Sequence, residues 1–307
     1  AISGALANPA FIGGVSGVSQ NAEIINCRND GTISISKVPS YVYIGGILGQ
    51  TQTGTVLDHC INNGAITHTD IGGMASIGGI CGRVSTPTKI TCCTNNGALD
   101  TNADDAGGIL GAAYYGGAVE DCVIEGCLNN GAVSSGANYA CVAGIGSAFG
   151  GDGAIDITAN ISLGELSAAG QNATVHPAAT EVSNPDSATL SSNYYNESIQ
   201  SQGTVPDVVT AGSTGMALEA LKAQETLDAI NQAGGNFRLD ENGEIEVAPL
   251  RYSLTIADKG EESTGEGEYE AGETVTIYAG TKSGYTFAGW ESNPENYANP
   301  VVFDDPA

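Results

Sequence analysis

The chain has 307 residues, 35 of them acidic against 9 Lys+Arg, for a formal net charge of −26. That balance leaves no basic footprint for nucleic acid and opposes contact with an anionic membrane surface, and no run of about 18 apolar residues reads as a membrane-spanning helix. Only 14% of residues are charged, so Asn, Gln, Ser and Thr carry much of the solvation, and the 44 glycines follow no triplet period of the collagen kind. Ala1-Ile2-Ser3-Gly4 lacks the charged start and apolar core of a secretory signal.

From residue 12 to about 165 the chain repeats itself. Cys27-Arg28-Asn29-Asp30-Gly31 returns as Cys60-Ile61-Asn62-Asn63-Gly64, as Cys93-Thr94-Asn95-Asn96-Gly97 and as Cys127-Leu128-Asn129-Asn130-Gly131, with Cys-to-Cys steps of 33, 33 and 34 residues. A second phrase precedes each: Ile12-Gly13-Gly14-Val15, Ile44-Gly45-Gly46-Ile47, Ile77-Gly78-Gly79-Ile80 and Ala106-Gly107-Gly108-Ile109. Three residues before each Cys stands Ile24, Leu57, Ile90 or Ile124. Each repeat offers three short strand candidates between Gly and Asn turns and no helical periodicity. A fixed period of this kind marks units that bury their apolar faces only against their neighbours. The expected fold is a right-handed parallel β-helix of about five repeats, over residues 1–200, with equivalent strands stacked at about 4.8 Å.

Stacking puts identical residues above one another. Cys27, Cys60, Cys93 and Cys127 read as a column of buried thiols, with disulfides between coils as the alternative. Asn29, Asn62, Asn95 and Asn129 read either as a hydrogen-bonded ladder or as exposed turn residues. Gly31, Gly64, Gly97 and Gly131 are expected to hold backbone shapes that side chains resist. No metal site is expected: Cys-x-x-Cys pairs are absent, and His59, His68 and His176 lack ligand spacing. His59 occupies a variable position, filled by Asn26, Cys92 and Gly126 in the other coils, and reads as structural filler.

A fifth unit replaces the Cys by Asn160, and Ser192–Asn196 reads as a last strand. Residues 215–233 read as one helix with Leu218, Leu221, Leu227 and Ile230 on its apolar face, stopped by Gly234-Gly235. Asp240-Glu241-Asn242-Gly243 between two strand-like runs signals a hairpin. Over residues 201–250 this segment is expected to cap the open end of the β-helix, where unpaired edges need cover. Residues 251–307 form a separate small β module, with strands at Ser253–Ile256 and Thr274–Tyr278.

The recurring Gly-Gly-Ile-Leu-Gly and Cys-x-Asn-Asn-Gly phrases resemble GLUG-type repeats of large bacterial surface and secreted proteins. Asn193-Tyr194-Tyr195, Leu218 to Asn231, Phe237 and Pro249-Leu250 resemble the segment that closes such repeats. Tyr269-x-Ala271-Gly272-Glu273-Thr274-Val275 with Gly284-Tyr285-x-Phe287-x-Gly289-Trp290 is similar to a divergent internalin B-type repeat. In place of that module's Phe-x-Met-Pro phrase stands Phe303-Asp304-Asp305-Pro306. The resemblance implies a secreted or cell-surface bacterial protein, a stalk or adhesin, and supplies no catalytic residues.

Polysaccharide lyases and hydrolases also use parallel β-helices, but they need convergent carboxylates or a cationic base. Asp104-Asp105 is the one adjacent acidic pair inside the repeats and reads as a solvated turn. The expected protein is therefore a non-enzymatic monomer without cofactor, binding a glycan or a host or cell-surface protein and neither nucleic acid nor membrane; an enzyme is the alternative. The candidate binding face is aromatic: Tyr41 and Tyr43, and Tyr114 and Tyr115.

Overall fold

The computed structural model describes residues 9–37, 41–69, 73–85, 87–114, 122–150, 154–179, 188–198 and 212–290. The chain divides into two compact units, residues 1–248 and 249–307.

The first unit is a parallel β-solenoid. Each coil contributes to four stacked sheets rather than three. The first sheet collects Ala10–Gly13, Tyr41–Gly45, Met74–Gly78, Asp105–Gly107, Cys141–Ala143 and Thr174–His176. The second is built on Ser16–Ile25 and Leu48–Asp58 and their counterparts in later coils. The third stacks two-residue strands, Arg28–Asn29, Ile61–Asn62, Thr94–Asn95, Leu128–Asn129 and Ile161–Ser162. The fourth runs from Ile33–Ile35 to Leu166–Ala168. The extra sheet is the Cys-x-Asn stretch, which looks like a turn in one coil but pairs in parallel with the same stretch above and below.

Register is one repeat per coil. Ile12 lies under Ile44, then Ile77, Ala106, Val142 and Val175. These columns and those of the second sheet, such as Leu57, Ile90, Ile124 and Ile157, are fully or nearly fully buried. The corner before the ladder Cys is left-handed in every coil: Asn26, His59, Cys92, Gly126, Ala159 and Ser192 have φ between 50° and 63°.

The Asn column is interior. Asn29 Nδ2 donates to Asn62 Oδ1 at 2.8 Å, Asn62 to Asn95 at 2.9 Å and Asn95 to Asn129 at 2.9 Å. Each amide also donates to the carbonyl of the glycine two residues on, at 2.9–3.0 Å. Asn62, Asn95 and Asn129 are fully buried, so the exposed-turn alternative does not hold. An outer ladder runs beside it: Asn63 donates to Asp30, Asn96 to Asn63 and Asn130 to Asn96, at 2.7–2.8 Å.

From the second coil on, the glycines of the Asn-Gly phrase are required for a reason other than the expected one; a Cβ on Gly31, in the first coil, would meet only Asn29 Oδ1 at 3.4 Å. Their φ is not in the left-handed region; a Cβ on Gly64 would sit 2.0 Å from the Gly31 carbonyl oxygen, and one on Gly97 2.1 Å from that of Gly64. Coils approach too closely there for any side chain. The thiol column carries no disulfide: all eight cysteines are free. From the fifth coil Asn160 and Asn193 take over the Cys position and bond to each other at 2.9 Å.

The segment after the repeats differs from expectation in shape and place. Ser213–Met216 adds a strand to the third sheet beside Asn193–Asn196. The single helix is two, α1 (Leu218–Leu221) and α2 (Gln224–Gln232), and the hairpin pairs Phe237–Leu239 with Ile245–Val247. Leu221, Leu227, Ile230, Phe237 and Ile245 bury themselves on Leu128, Ala159 and Ile161. These helices therefore cover the flank of the third sheet. The reason is in the outward column of that sheet, which runs Arg28, Ile61, Thr94, Leu128, Ile161: it becomes apolar where it is covered. Leu128 and Ile161 are fully buried, and Arg28 is exposed.

In the second unit Arg251–Leu254 pairs antiparallel with Gly267–Glu270. The strand expected at Thr274–Tyr278 is reduced to a bridge between Tyr278 and Thr264. Few groups there are shielded: Ile256 is buried, whereas Tyr278, Tyr285 and Phe287 are more than half exposed.

His176 ends the first sheet. It is buried, with Nε2 3.0 Å from Thr174 Oγ1, and burial pushes its pKa from 6.5 down to about 4. Between those values the unfolded chain takes up a proton that the folded chain refuses. The contribution is fully present above about pH 6.5 and is lost as pH falls toward 4, by up to about 3 kcal/mol. Urea midpoints at pH 7 and pH 4.5 are expected to differ less in His176→Val than in the unmodified chain. Equal acid sensitivity of the two would contradict this role.

Candidate functional site

Strand alternation and the coil corners decide where the candidate residues go. Tyr41 opens a first-sheet strand, is 43% exposed, and stacks in register beneath Met74, which is 53% exposed. Tyr43, two residues nearer the Gly-Gly corner, is buried. Its ring lies on Phe11 at 5.8 Å and under the Arg83 guanidinium at 4.6 Å, and Arg83 Nη1 donates to its hydroxyl. Tyr43 thus packs the fold and offers no free ring face. Tyr114 ends the strand Leu110–Tyr114 against Gly150; Tyr115 lies outside the described residues.

Asp104 and Asp105 are not a solvated turn. Asp105 begins a first-sheet strand and is 6% exposed. Its Oδ2 accepts from Ser76 Oγ at 3.0 Å, and Asp104 Oδ2 accepts from the Ala75 amide at 3.0 Å. Both carboxylates tie one coil to the next. His68 is likewise buried.

One constellation of reactive groups emerges that the sequence reading set aside. The left-handed corner puts His59 and Cys92 one above the other in consecutive coils, next to Asp58. A carboxylate oxygen of Asp58, a ring nitrogen of His59 and Sγ of Cys92 lie within 4.8 Å of one another. His59 Nδ1 is 2.9 Å from Asp58 Oδ2, and Thr91 Oγ1 donates to Asp58 Oδ1 at 2.6 Å. Asn236, at the start of the hairpin, places Nδ2 3.4 Å from His59 Nε2. All three groups are half-buried. The signal was present in the repeat alignment, where His59 and Cys92 hold the same position one coil apart.

The electrostatics there are negative. Burial raises the Asp58 carboxyl, but hydrogen bonds from His59 and Thr91 outweigh it and leave the group below its usual range. Burial, with the Asp58 and Glu125 charges nearby, pushes the Cys92 thiol up to about 11. Thiol, imidazole and carboxylate are the parts of a cysteine nucleophile. Activated thiols, however, sit in electropositive surroundings that lower their pKa, and Cys92 has the reverse.

Residues 252–303 match the family model of the divergent InlB B-repeat domain. No curated protein matches the chain. Among solved structures, the crystal structure of a "putative immunoglobulin A1 protease" from Bacteroides ovatus is similar at 20% identity and a TM-score of 0.49, covering 75% of this chain and 74% of that one. Among the described residues, no helix is long and apolar enough to cross a membrane.

Thiol chemistry tests the interior. Cys60, Cys81, Cys93, Cys122 and Cys127 are buried; Cys27, Cys92 and Cys141 are half-buried. A hydrogen bond with Cys93 and then burial raise Cys60, and burial raises Cys93 and takes Cys122 to about 12. Since the thiolate is the reactive form, a thiol reagent is expected to modify at most three cysteines in the native chain. Reaction of more than that before unfolding, read by mass spectrometry, would contradict the buried column.

Proposed function

We propose that the chain is a non-enzymatic scaffold of a bacterial cell-surface or secreted protein, a stalk or adhesin whose solenoid presents a binding face to a glycan or a host or cell-surface protein. The observation that carries this reading is where the repeat spends its fixed positions. The Gly-Gly corner, the Cys, the Asn and the following Gly are all consumed by coil-to-coil contacts. The repeat thus encodes a rigid rod, and whatever it recognises is left to the variable outward positions. The match of residues 252–303 to the divergent InlB B-repeat domain and the resemblance of the coils to GLUG-type repeats support the same setting. The net charge of −26 favours a soluble, self-repelling monomer.

Tyr41 beneath Met74 is an exposed apolar pair of the first sheet, and Tyr114 closes a strand of the second. Aromatic anchors of this kind stack on sugar rings and dominate protein interfaces. A glycan array and a panel of extracellular-matrix proteins, probed with the intact chain, are expected to yield a ligand. Tyr41→Ala together with Tyr114→Ala is expected to weaken it by about 1–3 kcal/mol with an unchanged unfolding midpoint. Cleavage of a polysaccharide by the unmodified chain would overturn the scaffold reading.

A further inference from the structure

We propose that Asp58, His59 and Cys92 bind a divalent cation of the zinc class at the edge where the hairpin covers the solenoid. The donors are a carboxylate, an imidazole and a thiol, the oxygen, nitrogen and sulfur set that suits Zn²⁺ and not the hard cations Ca²⁺ or Mg²⁺. They come from two adjacent coils, so parallel stacking itself brings them together. The separation of up to 4.8 Å compares with roughly 3.3–3.8 Å between ligands of a tetrahedral ion with bonds of about 2.0–2.3 Å. Side-chain rotation of about an ångström closes that gap.

The corner itself points to selection of these side chains. A left-handed backbone favours Gly and Asn, and Asn26 and Gly126 fill the position in the coils on either side. His59 and Cys92 sit there at φ of 50° and 51°, a conformation that costs such residues of order 1 kcal/mol or more each. Ala159 and Ser192 show that the corner tolerates other residues; what sets coils two and three apart is that both carry a metal-ligating type.

The surroundings supply an outer sphere. Thr91 holds Asp58, and Asn236 lies against the His59 ring. The ion takes the place of the proton between His59 Nδ1 and Asp58 Oδ2; that proton passes to Nε2, so the imidazole stays neutral, and Asp58, His59 and Cys92 are all three ligands. Binding converts the Cys92 thiol to a metal thiolate and releases its proton to solvent. Three protein ligands leave one vertex for water or for the Asn236 carboxamide.

The test uses the intact chain, reduced and stripped with a chelator, then titrated with Zn²⁺ against a chromophoric competitor. One equivalent is expected to bind. His59→Asn and Cys92→Gly, each the residue that the same corner carries in a neighbouring coil, are expected to weaken binding at least ~10-fold and to leave the metal-free urea midpoint near that of the unmodified chain. Co²⁺ loading is expected to give a thiolate charge-transfer band that Cys92→Gly abolishes. Absence of stoichiometric binding, or binding that survives both substitutions, would overturn the site. If a variant does not fold, the unmodified chain decides: Zn²⁺ protects Cys92 from alkylation, or the proposal is wrong.

Discussion

The rest of the solenoid hangs on the inner Asn ladder and the glycines that clamp it. A Cβ on Gly46, Gly79 or Gly108 would fall 2.3–2.4 Å from the side-chain carbon of Asn62, Asn95 or Asn129 and 2.1–2.2 Å from the glycine carbonyl of the next coil. The Gly-Gly corner of each coil therefore presses directly on the Asn of the same coil. That contact joins the two phrases of the repeat, which lie far apart in sequence. A buried carboxamide with all its polar atoms engaged is stable; one left with an unmatched donor costs about 1–3 kcal/mol, more in a chain of coupled hydrogen bonds. The ladder therefore forbids slippage of one coil against the next, and the apolar columns of Ile, Leu and Val follow the register it sets.

The ladder ends where its partner residues change. In the fifth coil Ser162 replaces the inner Asn and Leu163 the outer one, while Asn160 and Asn193 start a new bonded pair at the Cys position. At the same level the outward column turns apolar and is covered by α1, α2 and the hairpin. Asn231 fixes this cover internally by bonding the amide and carbonyl of Phe237, both at 2.8 Å. A Cβ on Gly126 would stand 3.2 Å from the Gly234 carbonyl oxygen, so the turn after α2 and the coil meet closely there.

Periodicity made the coil count, the Cys and Asn columns and the strand direction legible, because parallel stacking converts sequence register directly into contact. What escaped followed from single-coil reading. A two-residue strand is invisible until its copies pair, so three sheets were expected where four form. The apolar character of Leu128 and Ile161 marks the covered flank only once the outward column is compared from coil to coil. Asp105 looked solvated because its partner, Ser76, is 29 residues away. The helical pattern of 215–233 hid a break at Lys222–Ala223 and a strand at Ser213–Met216, where pairing with Asn193–Asn196 overrides helix propensity. Of the aromatic candidates, Tyr41 and Tyr43 share a strand yet differ in exposure, because the Gly-Gly corner folds the second sheet over Tyr43. The Asp58–His59–Cys92 cluster needed the columns to be compared across coils rather than along the chain.

The central claim is that neighbouring ladder residues hold each other. A double-mutant cycle on Asn62→Ser and Asn95→Ser measures it, with Ser chosen because the fifth coil already seats Ser162 at this position, fully buried. Urea unfolding of the unmodified chain, the two single variants and the double variant is expected to give a coupling energy of about 1 kcal/mol or more. Additivity within about 0.3 kcal/mol would show that the two carboxamides act independently and would contradict the ladder as the element that sets register.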